Sequence, residues 1–208
     1  MADGRAGVAA TRAYLRETMF PQADLFAPVP PPNLPEGLRY RPDLITVEEE
    51  GDLAARFETL PFKPFEFRGY TGHRQVVSFG WRYDFSRRSL DPTTPIPDFL
   101  LPLRQKVAAF TDHAPEAFEQ ALVSLYEPGA AIGWHRDRPE FKDVAGVSLL
   151  TSCRFRLRRK VDGGWERKAF ETAPRSAYLL SGPSRSDWEH SIPPLEARRY
   201  SVTFRTRT

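Results

Sequence analysis

From Phe118 to the C-terminus the chain breaks into short alternating segments bounded by turn residues, and that pattern leaves few folds open. Strands are expected near residues 119–126, 131–136, 144–151, 153–160, 168–171, 175–181, 187–191 and 198–206. Pro128-Gly129, Asp162-Gly163-Gly164 and Gly182-Pro183 separate several of them. Upstream, the periodicity is helical. Thr46 to Leu60 spaces Val47, Leu53, Ala54 and Phe57 for a helix, and Thr46 with Glu49 makes a capping-box pattern. Pro97 to Thr111 places Phe99, Leu100, Leu103, Val107 and Phe110 on one helical face. Between them, residues 75–79 and 81–85 read as two strands around Gly80, in the manner of a hairpin. Helices followed by short strands predict a mainly β, α+β domain: a jelly roll, or double-stranded β-helix, supported by N-terminal helices.

Residues 1–40 differ in character. Ala2 to Phe20 has room for a short helix, after which Pro21, Pro28, Pro30, Pro31, Pro32 and Pro35 work against helix and sheet ladders. An extended, mobile tail is expected there. Residues 41–208 are then one domain, long enough for a real core. The single cysteine, Cys153, excludes an internal disulfide and suits a reducing, cytoplasmic setting, with Cys153 packing as a small apolar residue. No apolar run approaches bilayer length and the N-terminus lacks a signal pattern, so no membrane partner is expected. A monomer is the expected state.

The formal net charge is +3, a weak lean toward a polyanion, and its distribution says more. Arg154, Arg156, Arg158, Arg159 and Lys160 form one cluster. Arg82, Arg87 and Arg88 form another beside Trp81, Tyr83 and Phe85. Cations interleaved with aromatics can neutralise phosphates and stack bases; equally, each patch reads as a solvated arginine face.

Only four histidines occur: His73, His113, His135 and His190. His135 and Asp137 stand two apart in an expected strand, so both side chains share a face. With His190 they would offer two imidazoles and a carboxylate to one ion. Such a facial set leaves positions open for a bidentate cosubstrate and dioxygen, the pattern of non-haem iron oxygenases. A His-x-Asp pair alone is more often a chance surface pair than a ligand set. Arg199 and Arg205 lie six apart near the C-terminus and share a strand face. Either could hold a carboxylate through its planar fork, or serve as surface charge.

At this point the residues resemble a known family. Tyr126-x-Pro128-Gly129, His135-x-Asp137, the late His190 and Arg199-Tyr200-x-x-Thr203-Phe204-Arg205 together resemble the AlkB-type oxidative dealkylases. Residues 67–85, with Arg74, Phe79-Gly80 and Tyr83, look more loosely like that family's nucleotide-recognition hairpin. The resemblance implies Fe(II) on His135, Asp137 and His190, with 2-oxoglutarate and O2 as cosubstrates. Arg199 would pair with the distal carboxylate of 2-oxoglutarate. Arg205 would sit near Asp137, and Tyr126 would donate to the cosubstrate. An N-alkyl carbon is then hydroxylated and lost as aldehyde, with succinate and CO2 released. Two departures stand out. Ser201 replaces an asparagine common in the family, and Arg138-Pro139, with Glu140 next, stands where some members carry an acid that reads the base.

Reaching a buried iron requires the base to leave its stack. Phe79, Trp81, Arg82 and Tyr83 are candidate substrate contacts, with core packing the competing role for the aromatics. Arg156 and Arg158 share a strand face and could line the entrance or face water; Trp134 is expected in the core. In the tail, Gln22-Ala23-Asp24-Leu25-Phe26 resembles the pentapeptide that docks bacterial proteins on the replicative sliding clamp. Gln22, Asp24, Leu25 and Phe26 would make that contact, or Leu25 and Phe26 would dock on the chain's own domain. The favoured function is direct-reversal repair of N-alkylated DNA, with RNA also open. The alternatives are the same chemistry on tRNA or a protein side chain, and a non-catalytic nucleic-acid or clamp-binding module.

Overall fold

The computed structural model describes residues 34–67 and 70–208, with side chains for all of these except 66–72. The tail peptide Gln22, Asp24, Leu25 and Phe26 lies outside the described residues, as does the short helix expected before it. No helix among the described residues is long and apolar enough to cross a membrane.

Helix α1 spans Val47–Phe57 and starts where the capping box requires. Glu49 N donates to Thr46 Oγ1 at 3.1 Å and Thr46 N donates to Glu49 Oε2 at 2.8 Å, so two otherwise orphaned amides are satisfied. Leu53 and Phe57 turn inward, whereas Val47, in the first turn, is exposed. The second expected helix is divided. A 3-10 turn at Asp98–Leu100 precedes α2, Leu101–Thr111, which carries Pro102 in its first turn, where no amide partner is lost.

Thirteen strands complete the described chain: β1 (Leu38–Arg41), β2 (Lys63–Phe67), β3 (Tyr70–Phe79), β4 (Trp81–Asp84), β5 (Ser89–Pro92), β6 (Phe118–Tyr126), β7 (Ile132–His135), β8 (Phe141–Leu149), β9 (Cys153–Val161), β10 (Gly164–Thr172), β11 (Ala177–Leu180), β12 (Glu189–Ile192) and β13 (Arg199–Arg207). All eight strands expected after Phe118 are present. The major sheet runs β1-β11-β8-β13-β6-β3-β2 and the minor sheet β10-β9-β12-β7, with every pairing antiparallel. Two packed antiparallel sheets with helices outside one of them are the double-stranded β-helix. A short helix α3, Gly182–Ser186, joins β11 to β12.

Two apolar clusters follow from these layers. One lies between α1, α2 and the major sheet, where Phe57 packs edge-on against Tyr200 at 5.4 Å. The other lies between the sheets and includes Tyr126, Val144, Phe155, Leu157 and Ile192. Cys153 packs there as a small buried residue, Sγ 3.1 Å from Thr172 Oγ1.

Two expectations are corrected. The domain boundary after residue 40 falls inside β1, which pairs Leu38 with Leu180 and belongs to the major sheet. The residues around Gly80 do not make a hairpin. β3 stays in the major sheet beside β6, while β4 pairs with β5 in a separate ribbon. Gly80 has φ +76°, and a Cβ there would collide with the Glu119 carbonyl, so glycine alone lets the chain leave the sheet.

Candidate active site

His135 ends β7 and His190 stands opposite it in β12 as its register partner. Both imidazoles therefore project from the same face of the minor sheet, toward the major sheet. Their ring centroids are 4.2 Å apart, and Phe155 stacks on His190 at 5.3 Å. Asp137 lies beyond the end of β7, not within the strand as expected. Its carboxylate still returns to the histidines, with Oδ2 3.6 Å from His190 Nε2. Arg205 in β13 holds it there: Nη2 donates to Asp137 Oδ1 at 2.8 Å, and Nη1 donates to Gln120 Oε1 at 2.9 Å. Arg185 in α3 donates to the carbonyls of Arg138 and Phe141, both at 2.7 Å, and so fixes the loop that follows Asp137.

Charge and burial set the protonation states. Burial would raise the Asp137 carboxyl, but Arg205, His190, His135 and Arg185 together outweigh it and hold the group well below the usual carboxylate range. Burial pushes the His190 imidazole down to about 3, with His135 adding to the effect. His135 is lowered as well, chiefly by burial. Its Nδ1 meets the Gly133 carbonyl at 3.0 Å, which leaves Nε2 with its lone pair. Two neutral imidazoles and an ionised carboxylate thus stand together, the donor states a divalent metal needs. They are close without forming a finished shell: among the described residues, no three His, Cys, Asp or Glu groups meet around one ion-sized point.

Facing them is a row of residues from three strands. Arg74 in β3, Tyr126 in β6 and Arg199 in β13 are direct cross-strand partners. Arg199 is fully buried, its guanidinium carbon 5.0 Å from the Tyr126 ring centroid. Arg199 Nε donates to Ser148 Oγ at 2.9 Å, while the buried Nη1 has no partner among the described residues. Ser201 Oγ donates to Tyr126 Oη at 3.5 Å. Burial would raise the Tyr126 phenol, but Arg74, Arg199 and the hydrogen bond from Ser201 together outweigh it and the net direction is down. Arg74, Tyr126, Arg199, Ser201, Arg205 and the His135–Asp137–His190 group line one pocket between the sheets. A buried cation with an idle donor, across a pocket from two imidazoles and a carboxylate, suits a dicarboxylate that chelates a metal at its other end. The residues fit Fe(II) and 2-oxoglutarate.

The expected substrate contacts divide. Phe79 is buried in the core against the helices, so its role there is packing. Trp81 is half-buried under Arg207, whose guanidinium carbon is 4.2 Å from its ring, and Arg82 is exposed on the ribbon. Tyr83 lies beside the residue that follows Asp137: Arg138 sits 4.1 Å over its ring and donates to its hydroxyl. Tyr83 meets Phe85 at 5.0 Å, Phe85 meets Phe65 at 5.6 Å, and Arg74 covers Phe65 at 4.1 Å. An aromatic row therefore runs between two arginines, one lining the pocket and one following Asp137. Arg156 and Arg158 do not line the entrance. On β9 they alternate with Phe155 and Leu157, which face the pocket side, so both arginines take the outer face of the minor sheet. Trp134 is also corrected: it faces away from the histidines, as its register requires, but is only half-buried beneath those arginines. Phe65, Phe155 and Arg185, the partner of the loop after Asp137, were not legible beforehand, because each acts through contacts distant in sequence.

Comparison with known proteins gives the family and the fold. Residues 37–205 match the 2OG-Fe(II) oxygenase superfamily. The chain is 28% identical over 187 residues to the Alkylated DNA repair protein ALKBH8 homolog of Arabidopsis thaliana, covering 77% of this chain and 51% of that one. It is 27% identical over 181 residues to the tRNA (carboxymethyluridine(34)-5-O)-methyltransferase alkbh8 of Xenopus tropicalis, covering 82% of this chain and 27% of that one. It is 24% identical over 174 residues to the RNA demethylase ALKBH9B of Arabidopsis thaliana, covering 74% and 33%. The chain thus spans about half or less of the length of these relatives. The solved structure of OsALKBH1 superposes with a TM-score of 0.67 at 18% identity, covering 84% of this chain and 99% of that one, and shares the fold. A Pseudomonas putida prolyl-4-hydroxylase superposes with a TM-score of 0.55 at 18% identity, covering 83% and 93%. The fold and the site define a dioxygenase of the iron- and 2-oxoglutarate-dependent class. The chain belongs to the 2OG-Fe(II) oxygenase superfamily, and its similarity to the ALKBH8 and ALKBH9B proteins is a likeness to the AlkB type.

Proposed function

We propose that the protein oxidatively dealkylates N-alkylated bases in a polynucleotide, with RNA as its main substrate and DNA open to the same chemistry. The observation that carries the reading is the buried, half-satisfied Arg199 guanidinium facing the His135–Asp137–His190 group across one pocket. His135, Asp137 and His190 would hold Fe(II). Arg199 would grip the distal carboxylate of 2-oxoglutarate, with Tyr126 and Ser201 beside it. Bound there, the metal and cosubstrate supply, with O2, the power to hydroxylate an N-alkyl carbon, yielding succinate and CO2.

The protein's own contribution is placement. Arg205 keeps Asp137 ionised and aimed at His190. Phe155 fixes the His190 ring by stacking, and the interlayer cluster keeps water from the reacting carbon. Tyr83 and Phe85 offer aromatic faces to a base that has left its stack. Collapse of the hydroxylated N-alkyl group to aldehyde and free base needs no further residue.

Two of the relatives above are named for RNA, which supports moving the lead from DNA to RNA. Arg138 favours a second reading on the same chemistry: a neutral base in tRNA. Its guanidinium stacks on Tyr83 next in sequence to Asp137, where it would repel a cationic methylated base. The test is aerobic incubation with Fe(II), 2-oxoglutarate and ascorbate, offering matched RNA and DNA oligonucleotides that carry 1-methyladenine or 3-methylcytosine, and bulk tRNA. Mass spectrometry reads loss of a methylene unit or gain of oxygen. Demethylation of RNA ahead of DNA supports the leading reading. Oxygen gain on tRNA alone supports the second. Succinate formation with no change in any nucleic acid contradicts both.

A further inference from the structure

The outer face of the minor sheet carries a ladder of alternating guanidinium and indole groups. Trp134 on β7 lies beneath two arginines of β9, with Arg156 at 5.2 Å and Arg158 at 4.5 Å from its ring centroid. Arg158 also covers Trp165 of β10, at 4.2 Å. Trp165 is 38% exposed. The β9–β10 register sets Arg158 beside Arg167 and Lys160 beside Trp165 on the same face. Arg154, Arg156, Arg158, Lys160 and Arg167 share that face with two acids, Glu171 and Glu189. Five cations against two acids leave an excess of three positive charges, as large as the formal excess of the whole chain.

The arginines are held in a way that leaves their outer edge open. Arg156 Nε donates to Ser191 Oγ at 3.0 Å, and Arg158 Nε donates to Glu189 Oε2 at 2.7 Å. Both guanidinium planes are pinned by Nε and by the indole beneath. Their terminal Nη groups carry no hydrogen bond among the described residues, and that end-on fork is the geometry that takes a phosphate. The site is also close at hand: Trp134 and His135 are consecutive residues on opposite faces of β7, and β7 is the edge of the minor sheet.

We infer that this outer face is a second docking surface for the nucleic-acid strand, gripping the phosphates of a single-stranded RNA segment that continues past the β7 edge from the base in the pocket. This deepens the polynucleotide reading and rests on it for the identity of the strand. Pinned arginines bind phosphates, and the exposed indoles stack bases with little regard to sequence.

The test is binding of a fluorescein-labelled oligouridylate to the full chain, followed by anisotropy across a salt series. In the variant Arg156→Gln/Arg158→Gln, affinity is expected to fall roughly tenfold or more, and the slope of log K against log salt to shrink by about 1.4, the share of two phosphates on a single strand. Arg154→Gln/Lys160→Gln, at two exposed positions with no packing role, should show the same direction and guards against a folding artefact. Trp165→Ala should weaken binding without changing the salt slope. Succinate formation without nucleic acid should be unchanged in every variant, because none of these residues touches the pocket. Oligouridylate binding of unchanged affinity and salt slope in both charge variants overturns the inference. If the charge variants weaken binding as expected while no nucleic acid is ever oxidised, the docking surface stands and the dealkylase reading falls.

Discussion

Replacing Arg199 by methionine removes the charge and keeps most of the volume. In the protein the guanidinium is fully buried, spends Nε on Ser148 and has an unpartnered Nη1, and the residue lines the pocket. If Nη1 grips the distal carboxylate of 2-oxoglutarate, one charge-assisted hydrogen bond disappears with it. Such a bond contributes about 1.5–3 kcal/mol, which is roughly a 10- to 150-fold weaker cosubstrate complex. Stability without cosubstrate should change far less. Losing the bond to Ser148 costs about 1 kcal/mol, and removing a buried, half-paired charge offsets it. Calorimetric titration of 2-oxoglutarate into Mn(II)-loaded protein gives the affinity, and urea denaturation gives the stability. A methionine variant that binds 2-oxoglutarate within about twofold of the wild type, a difference near 0.4 kcal/mol, would refute the assignment of Arg199.

Arg205→Met strips a buried carboxylate of its cation, so unfolding free energy should drop by about 3–5 kcal/mol in urea melts, with Asp137→Asn largely restoring it in the double variant. Phe79→Ala should cost about 3–5 kcal/mol because it empties core volume. Tyr83→Ala should cost under about 1 kcal/mol yet raise KM for an oligonucleotide, and equal stability losses for the two would contradict their assigned roles. Gly146→Ala would drive a methyl group into the Tyr178 ring, whose hydroxyl oxygen lies 2.5 Å from the added carbon. It should lower stability by about 1–3 kcal/mol in the same melts, and a neutral result would show that the ring can move aside.

The C-terminal half was legible because antiparallel strands with one buried face keep their period of two. All eight strands after Phe118 could be placed from alternation and turn residues alone. The capping box at Thr46 and Glu49 was equally local, and so was α1. What failed was non-local. Whether β4 returns to β3 or leaves for a ribbon depends on the Glu119 carbonyl crowding Gly80, which lies far along the chain. For Phe79 the packing alternative holds and for Trp134 the core expectation fails, both because alternation tells which residues share a face but not what covers it. The α1 and α2 side hides Phe79, whereas the outer face of the minor sheet leaves Trp134 to arginines alone. The same ambiguity sent Arg156 and Arg158 to the entrance, until Phe155 stacking on His190 fixed which side of β9 faces the pocket. Arg199 and Arg205 share a face because even spacing along β13 survives folding; His190 meets His135 as its register partner, and Asp137, beyond the end of β7, is drawn in by Arg205. Arg185 has no such periodic signature; it reaches the loop after Asp137 from a five-residue helix.

The central claim is that His135, Asp137 and His190 hold one iron in the pocket that Arg199 closes. The most direct measurement is iron content and substrate-free succinate formation of protein reconstituted anaerobically with Fe(II), for the wild type and for His135→Ala, Asp137→Ala and His190→Ala, each checked for folding by circular dichroism. The account predicts one iron per chain and succinate from 2-oxoglutarate in the wild type, with both lost in all three folded variants. A folded variant that keeps its iron and still makes succinate would contradict it.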